Sequence, residues 1–333
     1  RWQRLVRPGL AVLAATLTVW ALGGCAHLGY YSQSVGGHMR LMAAAQPVEQ
    51  LLADAQTPAP LRERLLLSQR MRDFASAQLQ LPDNASYRRY ADLKRRAVVW
   101  NVVATPPLSL KPVQWCFWVA GCVSYRGYFA EADAQAFAGA LRAQGLDAQL
   151  FAVPAYSTLG WLNWIGGDPL LNTFVHYPEG ELARLLFHEL AHQVVYVSGD
   201  TRFNESFATA VEIIGVQRWL ARTGADAAVA RAWMARRERR EHFVGMLAAA
   251  AERLRKSYAS PLPDEAKRAA KKEGFDALRA EFAAHRARDP GFAAYDRWFA
   301  QDLGNAHVMA VGLYHDLVPA FFALFKEQGE DLP

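Results

Sequence analysis

The sequence predicts an α+β fold, predominantly α, with a small mixed sheet in the middle of the chain and a helical C-terminal half. Two features of the pattern point there. Short β-branched and aromatic runs, bounded by Pro and Gly, all lie before Glu179. Past Glu179, five long stretches read as helical, punctuated by Gly199, Gly224, Pro261-Leu262-Pro263 and Asp289-Pro290-Gly291. Composition agrees: 333 residues with 52% hydrophobic and 12% aromatic content are enough for a sizeable core. A disordered polymer, a collagen, a coiled coil and a repeat array are excluded. After the first 25 residues no run reaches the eighteen or so apolar positions of a membrane span, which excludes a multi-span protein.

The first segment reads as an address. Arg1, Arg4 and Arg7 form a basic region, residues 9–22 run apolar, and Leu22-Gly23-Gly24-Cys25 follows. Fourteen apolar residues suit a signal peptide and are short for a span. Small residues before a Cys fit a bacterial lipobox, so residues 1–24 are expected to be removed and Cys25 to be acylated. Two or three chains on one residue give stable membrane anchoring. Ala26, in place of Asp, points to the periplasmic face of the outer membrane. The competing reading is an uncleaved anchor with an unrelated Cys. Removing the three Arg residues leaves 34 basic against 32 acidic groups, so the formal charge falls from +5 to +2 and nothing calls for nucleic acid. The mixed-sign run Arg236-Arg237-Glu238-Arg239-Arg240-Glu241 reads as a solvated helix face.

The remainder, 25–333, reads as a single domain with a small α/β part at about 85–178 and a helical part at about 179–333. Residues 39–81 are helical in pattern, with Pro58 and Pro60 as start signals and Pro82-Asp83-Asn84 as a stop. Residues 97–103 form a β-branched strand that ends at Thr105-Pro106-Pro107, and 115–119, 123–129 and 148–153 read as further strands. Residues 132–142 form a helix that Gly145 ends. Cys116 and Cys122, a close pair in an exported chain, read as a short disulfide, with two free thiols as the alternative. The later stretches, at 182–197, 203–222, 225–256, 264–286 and 305–326, are the helices of the second half.

The chemistry sits in the first two of these. Residues 181–196 contain His188-Glu189-Leu190-Ala191-His192. Four residues on a helix are one turn plus forty degrees, so His188 and His192 share a face and can hold one metal ion, with Glu189 flanking it. The helix is apolar on nearly every side, and two imidazoles and a carboxylate buried in it are costly unless an ion pairs them. Gly199 and Asp200 break the helix and a second begins at once, so the two should fold back as a hairpin and return Glu205 to the ion. Glu212, two turns on, could orient a ligand imidazole or form a structural salt bridge.

Asn204-Glu205-Ser206-Phe207-Ala208 resembles the third-ligand helix of gluzincin metallopeptidases, where a Glu completes a His₂Glu zinc site. Only twelve residues separate His192 from Glu205, fewer than in the thermolysin-like and membrane-alanyl-aminopeptidase-like families. Three further stretches extend the match: Trp115-Cys116-Phe117, the run Gly121-Cys122-Val123-Ser124-Tyr125-Arg126-Gly127-Tyr128-Phe129, and Tyr156-Ser157-Thr158-Leu159-Gly160-Trp161. Together with the two helical motifs, they make the chain after Cys25 similar to the zinc aminopeptidase family of Gram-negative bacterial lipoproteins. The resemblance implies a zincin-like catalytic core, one Zn²⁺ held by His188, His192 and Glu205, and a peptide substrate, with Glu189 as general base. Gluzincins take an oxyanion donor from a downstream helix, which makes Tyr314 the favoured candidate and His307 the second. They also place a substrate-pairing edge strand about thirty residues before the first His, where Ser157, Thr158 and Gly160 stand. Against the peptidase stands one other class of function, a non-catalytic binding or assembly lipoprotein with a structural or vestigial zinc site. Glu189 favours the enzyme, because a structural site has no need of a carboxylate beside its ligands.

Overall fold

The computed structural model describes residues 29–117, 121–161, 163–224, 226–309 and 317–330. The expected signal segment, Cys25 and Tyr314 lie outside the described residues.

Proline divides the first helical stretch. Residues 29–44 form α1, a two-residue strand β1 (Gln46–Pro47) follows, and then come α2 (Val48–Ala53) and α3 (Ala59–Leu79). Pro47 and Pro58 stand at the N-caps of α2 and α3 with extended ψ of 131° and 136°. A proline has no N–H to give to a preceding turn, so the helical stretch read over 39–81 restarts at Pro58, as its start signal there implied, and also breaks at Pro47, which the sequence reading did not mark.

The middle of the chain contributes β2 (Arg89–Ala91), β3 (Val99–Thr105), β4 (Trp115–Phe117), β5 (Gly121–Val123), β6 (Arg126–Tyr128), α4 (Glu131–Ala143), β7 (Asp147–Val153) and β8 (Leu170–Leu171). These strands form three small sheets where the sequence suggested one layer. β3 is the centre of an antiparallel sheet in the order β6-β3-β7; β2 joins β1 and β8; β4 and β5 form a hairpin. All but one residue of β3 is buried, since α4 packs on it and on β7, which is why its apolar run is continuous and not alternating. In the hairpin Cys116 stands directly opposite Cys122, and the two sulfurs are bonded.

The second half carries no strand among its described residues, and its α-helices are α5 (Glu179–Ala191), α6 (Thr201–Arg222), α7 (Ala227–Ala259), α8 (Asp264–Arg288), α9 (Asp296–Phe299), α10 (Asn305–Met309) and α11 (Val318–Glu327). The fold is α+β with helix predominating. Its largest core joins α3, α5 and α6, where Phe74 meets Phe187 at 6.0 Å and Trp219 at 5.2 Å between ring centroids. A second core lies between α7 and α8, around Leu254, Phe275, Leu278 and Phe282.

Gly215 sets how closely α6 approaches α5. A Cβ there would stand 2.7 Å from the Phe187 ring and 2.8 Å from a Leu79 methyl. Gly215→Val is therefore expected to wedge the helices apart and cost about 1–3 kcal/mol, the usual range for overpacking a core. A thermal melt that matches the wild type would show that the pair can absorb the added carbons.

Candidate metal centre

His188 lies in the last turn of α5, and His192 is the C-cap, still in helical conformation (φ −59°, ψ −20°). The helix is thus shorter than the 182–197 stretch read from the sequence, yet the one-turn relation of the two imidazoles survives. Their Nε2 atoms face each other at 3.1 Å.

The turn after His192 is held by a side chain. Asn204, in the first turn of α6, accepts from Val197 N at 2.7 Å and donates to Val197 O at 2.8 Å. Gly199 takes φ +83°, and Asp200 caps α6 by accepting from Phe203 N at 2.9 Å. With the chain reversed in this way, Glu205 comes against the rings. Its Oε2 is 3.2 Å from His188 Nε2 and its Oε1 is 3.7 Å from His192 Nε2.

These three side chains form a site placed to hold a metal ion, with ligand atoms all within 4.8 Å of one another. The spacing fits. Two nitrogens each about 2.0–2.1 Å from a tetrahedral ion stand about 3.3 Å apart, and the contacts here are 3.1, 3.2 and 3.7 Å. Facing Nε2 atoms present two lone pairs to each other unless a proton or a metal cation lies between them.

The electrostatics say the same. Burial alone would depress His188, but its hydrogen bonds to Glu205 and Glu212 outweigh it and lift the imidazole to about 10. Burial and the neighbouring His188 charge push His192 down to about 4. Burial opposes ionisation of Glu205, and His188 and His192 overcome it and hold the carboxyl below its ordinary value. The pocket is built around one positive charge.

Glu212 does not reach the centre; it backs it. Its Oε2 lies 2.9 Å from His188 Nδ1 and 3.2 Å from an Arg184 guanidinium nitrogen. Burial would raise its carboxyl, yet Arg184 and His188 bring it down to about 2. A carboxylate on Nδ1 fixes the ring so that Nε2 points at Glu205 and His192. Arg184 is itself tied to Glu181 at 3.0 Å.

Glu189, one residue after His188, is a half-buried carboxyl raised by desolvation and by Glu205 and Asp168, against the pull of His188. Ser157, whose hydroxyl donates to Asp168 at 3.4 Å, lies close enough to favour the charged form of Glu189. Thr158 N donates to both oxygens of Asp168 at 3.0 Å, which moors the loop beside the helix. Of the three residues expected on an edge strand, Ser157 lies near Glu189 and Asp168, Thr158 bonds to Asp168, and Gly160 lies against Asn163 and Gln193; none of them is on a strand. β7 has ended at Val153, and Leu159 and Gly160 take φ of +55° and +78°, which turns the chain out of the extended form.

His307 goes elsewhere. It is buried between Phe151 and Trp298, and its Nδ1 accepts from Gly304 N at 3.0 Å. That places it in the packing of α10 against β7, not with His188, His192 and Glu205, because α10 is drawn onto β7 by Asn305 N donating to Asp147 at 2.9 Å.

Several participants were missed in the sequence. Arg184 could have been read as the residue one turn before His188 on the same helix face. Asn204 stands in the third-ligand motif beside Glu205 and is only 2% exposed, and a buried amide signals a specific partner. Asp168 carries no local signal at all. Asn204→Ala is expected to free the Val197 turn and weaken metal binding by about tenfold or more, with the helices retained, since such supporting contacts are commonly worth that much. Metal titration with circular dichroism checks both halves; unchanged affinity would show that the turn holds without the clip.

The family model described as "Putative aminopeptidase" matches residues 29–333. No curated protein and no solved structure matches the chain.

Proposed function

The chain belongs to that aminopeptidase family, and on this premise we propose that it is a zinc-dependent peptidase of gluzincin type, with His188, His192 and Glu205 as ligands. The observation that carries the reading is Glu205, delivered by the α5–α6 turn to within 3.2 Å and 3.7 Å of the two facing Nε2 atoms. Histidine nitrogens with one carboxylate are a donor set that suits zinc and leaves a fourth position open. A bound zinc ion supplies polarisation of the scissile carbonyl and a water acidic enough to react near neutral pH.

The protein's own groups do the rest. Glu189 takes the proton of the attacking water and passes it to the leaving amine, and its raised proton affinity suits that exchange. Glu212 and Arg184 hold His188 in one orientation throughout. Tyr314 is proposed as donor to the developing oxyanion. Leu317, three residues later, anchors its N–H to the Ser206 hydroxyl at 3.3 Å, beside Glu205. The mature protein is proposed to act on peptides at the periplasmic face of the outer membrane, held there by acyl chains on Cys25.

Peptides of one sequence, with the N-terminus either free or acetylated, test the activity on metal-replete protein. Cleavage of the free form alone is the expected result. Cleavage of both would make the enzyme an endopeptidase, and cleavage of neither would remove the peptidase reading.

A further inference from the structure

Beside His192 the chain builds a cavity that no step above uses. It holds about 260 Å³ and is lined by Pro82, Asn84, Leu159, Gly160, Trp161, Asn163 and Gln193. That is smaller than pockets for whole drug-sized ligands and suits a single side chain. Its floor is a closed amide network. Gln193 Oε1 accepts from Asn84 Nδ2 at 2.8 Å and from Asn163 Nδ2 at 3.4 Å, and its Nε2 donates to Ser86 Oγ at 3.3 Å. Arg72, fully buried in α3, fixes the Pro82–Ser86 side by donating to Ser86 O at 3.0 Å.

Three facts connect this cavity to the metal centre. Gln193 follows His192 directly. The loop that lines the cavity at Leu159, Gly160 and Trp161 comes close to Glu189 at Ser157. From Ser157 to Gly160 the chain can span at most about 10 Å, the reach of one substrate residue. No ionisable side chain is among the lining residues. Trp161, which lines the cavity, is 69% exposed, and further apolar side chains are exposed within a few residues of Trp161 or Gln193 along the chain: Trp164 at 81%, Val194, Tyr196 and Val197. A single exposed apolar residue means little, but five on two loops that touch through Asn163 and Gln193 mark a binding surface.

We infer that this cavity is the subsite for an uncharged side chain next to the scissile bond, with Trp161 as its apolar wall, so that the substrates are peptides with a neutral, preferably large apolar residue at that position. The inference rests on the peptidase reading. A charged side chain finds no counter-ion there and loses its hydration, while an apolar one covers the Trp161 ring.

The test uses free-amine tripeptides Xaa-Ala-Ala, where Xaa is Phe, Leu, Gln, Lys or Asp, and the matching acetyl-Ala-Xaa-Ala-Ala amides. On metal-replete wild type, the Phe and Leu peptides are expected to exceed Lys and Asp by about tenfold or more in kcat/KM at one position. Trp161→Ala should narrow that preference mainly through KM, with metal content and kcat retained, because an exposed ring contributes little to the fold. Trp161→Asp should raise the Lys peptide. Binding of the same peptides to metal-loaded Glu189→Gln, followed by calorimetry, should rank them in the same order. A flat profile across Xaa, or Trp161 variants with wild-type selectivity, would overturn the subsite while leaving the peptidase standing. No cleavage and no binding of any peptide would remove the peptidase, and the subsite with it.

Discussion

On the proposed function, alanine at His188, His192 or Glu205 is expected to remove most bound zinc and with it all hydrolysis. The reason is the number of ligands. Three protein contacts leave no spare, and each Ala takes away one of them along with the charge balance that the others were built around. The three losses differ in character. His188→Ala also takes one partner from the buried Glu212 carboxylate, which keeps Arg184 at 3.2 Å, so the fold should lose some stability. Glu205→Ala leaves the two imidazoles facing each other at 3.1 Å with no carboxylate between, and a proton takes the place of the metal. Metal analysis after dialysis against a weak chelator, with a thermal melt for each variant, reads both effects. Near-stoichiometric zinc in any of the three would show that this residue is not a ligand.

Glu189→Gln is expected to keep the zinc of the proposed site and lose the reaction. Gln has the shape of Glu, so the helix and the ligands stay in place. It cannot take a proton. The expected fall in kcat is about 10²–10⁴-fold, the range for a positioned acid–base group, with KM little changed. A fall of less than about tenfold would mean that another group moves the proton. Loss of zinc in this variant would mean that Glu189 holds the ion, not the water. This pair of outcomes separates the roles of two neighbouring residues, His188 and Glu189, that no proximity argument can separate.

Much of this centre was legible because it is written in short-range pattern. The one-turn spacing of His188 and His192 fixes a common face on any helix, and a hairpin break at Gly199-Asp200 can only send Glu205 back. The helical second half was legible for the same reason, since long helices repeat their pattern many times. The sheets were not. Strands of two or three residues, such as β1, β2 and β8, are too short to show alternation, and their pairing joins residues far apart in the chain, as Tyr90 with Leu170. The break at Pro47 was missed because the residues around it are good helix formers. The loop from Tyr156 to Trp161 was located beside the site, but its shape was not, since two successive left-handed residues turn on a non-glycine, Leu159, that gives no warning. His307 was misplaced because a histidine in a helix looks the same in sequence whether it faces an ion or a pair of aromatic rings.

The most direct measurement compares zinc stoichiometry in Glu205→Ala and Glu212→Ala, two glutamates two turns apart on one helix face. In the structure Glu205 reaches both Nε2 atoms, whereas Glu212 touches only the far nitrogen of His188. Glu205→Ala should therefore emerge from metal-replete purification with little zinc. Glu212→Ala should hold about one ion per chain at saturation, with affinity lowered by about 10–100-fold through the loosened ring. Zinc retained at full stoichiometry in Glu205→Ala and lost in Glu212→Ala would contradict the assignment, and zinc absent from the wild type itself would contradict the whole account.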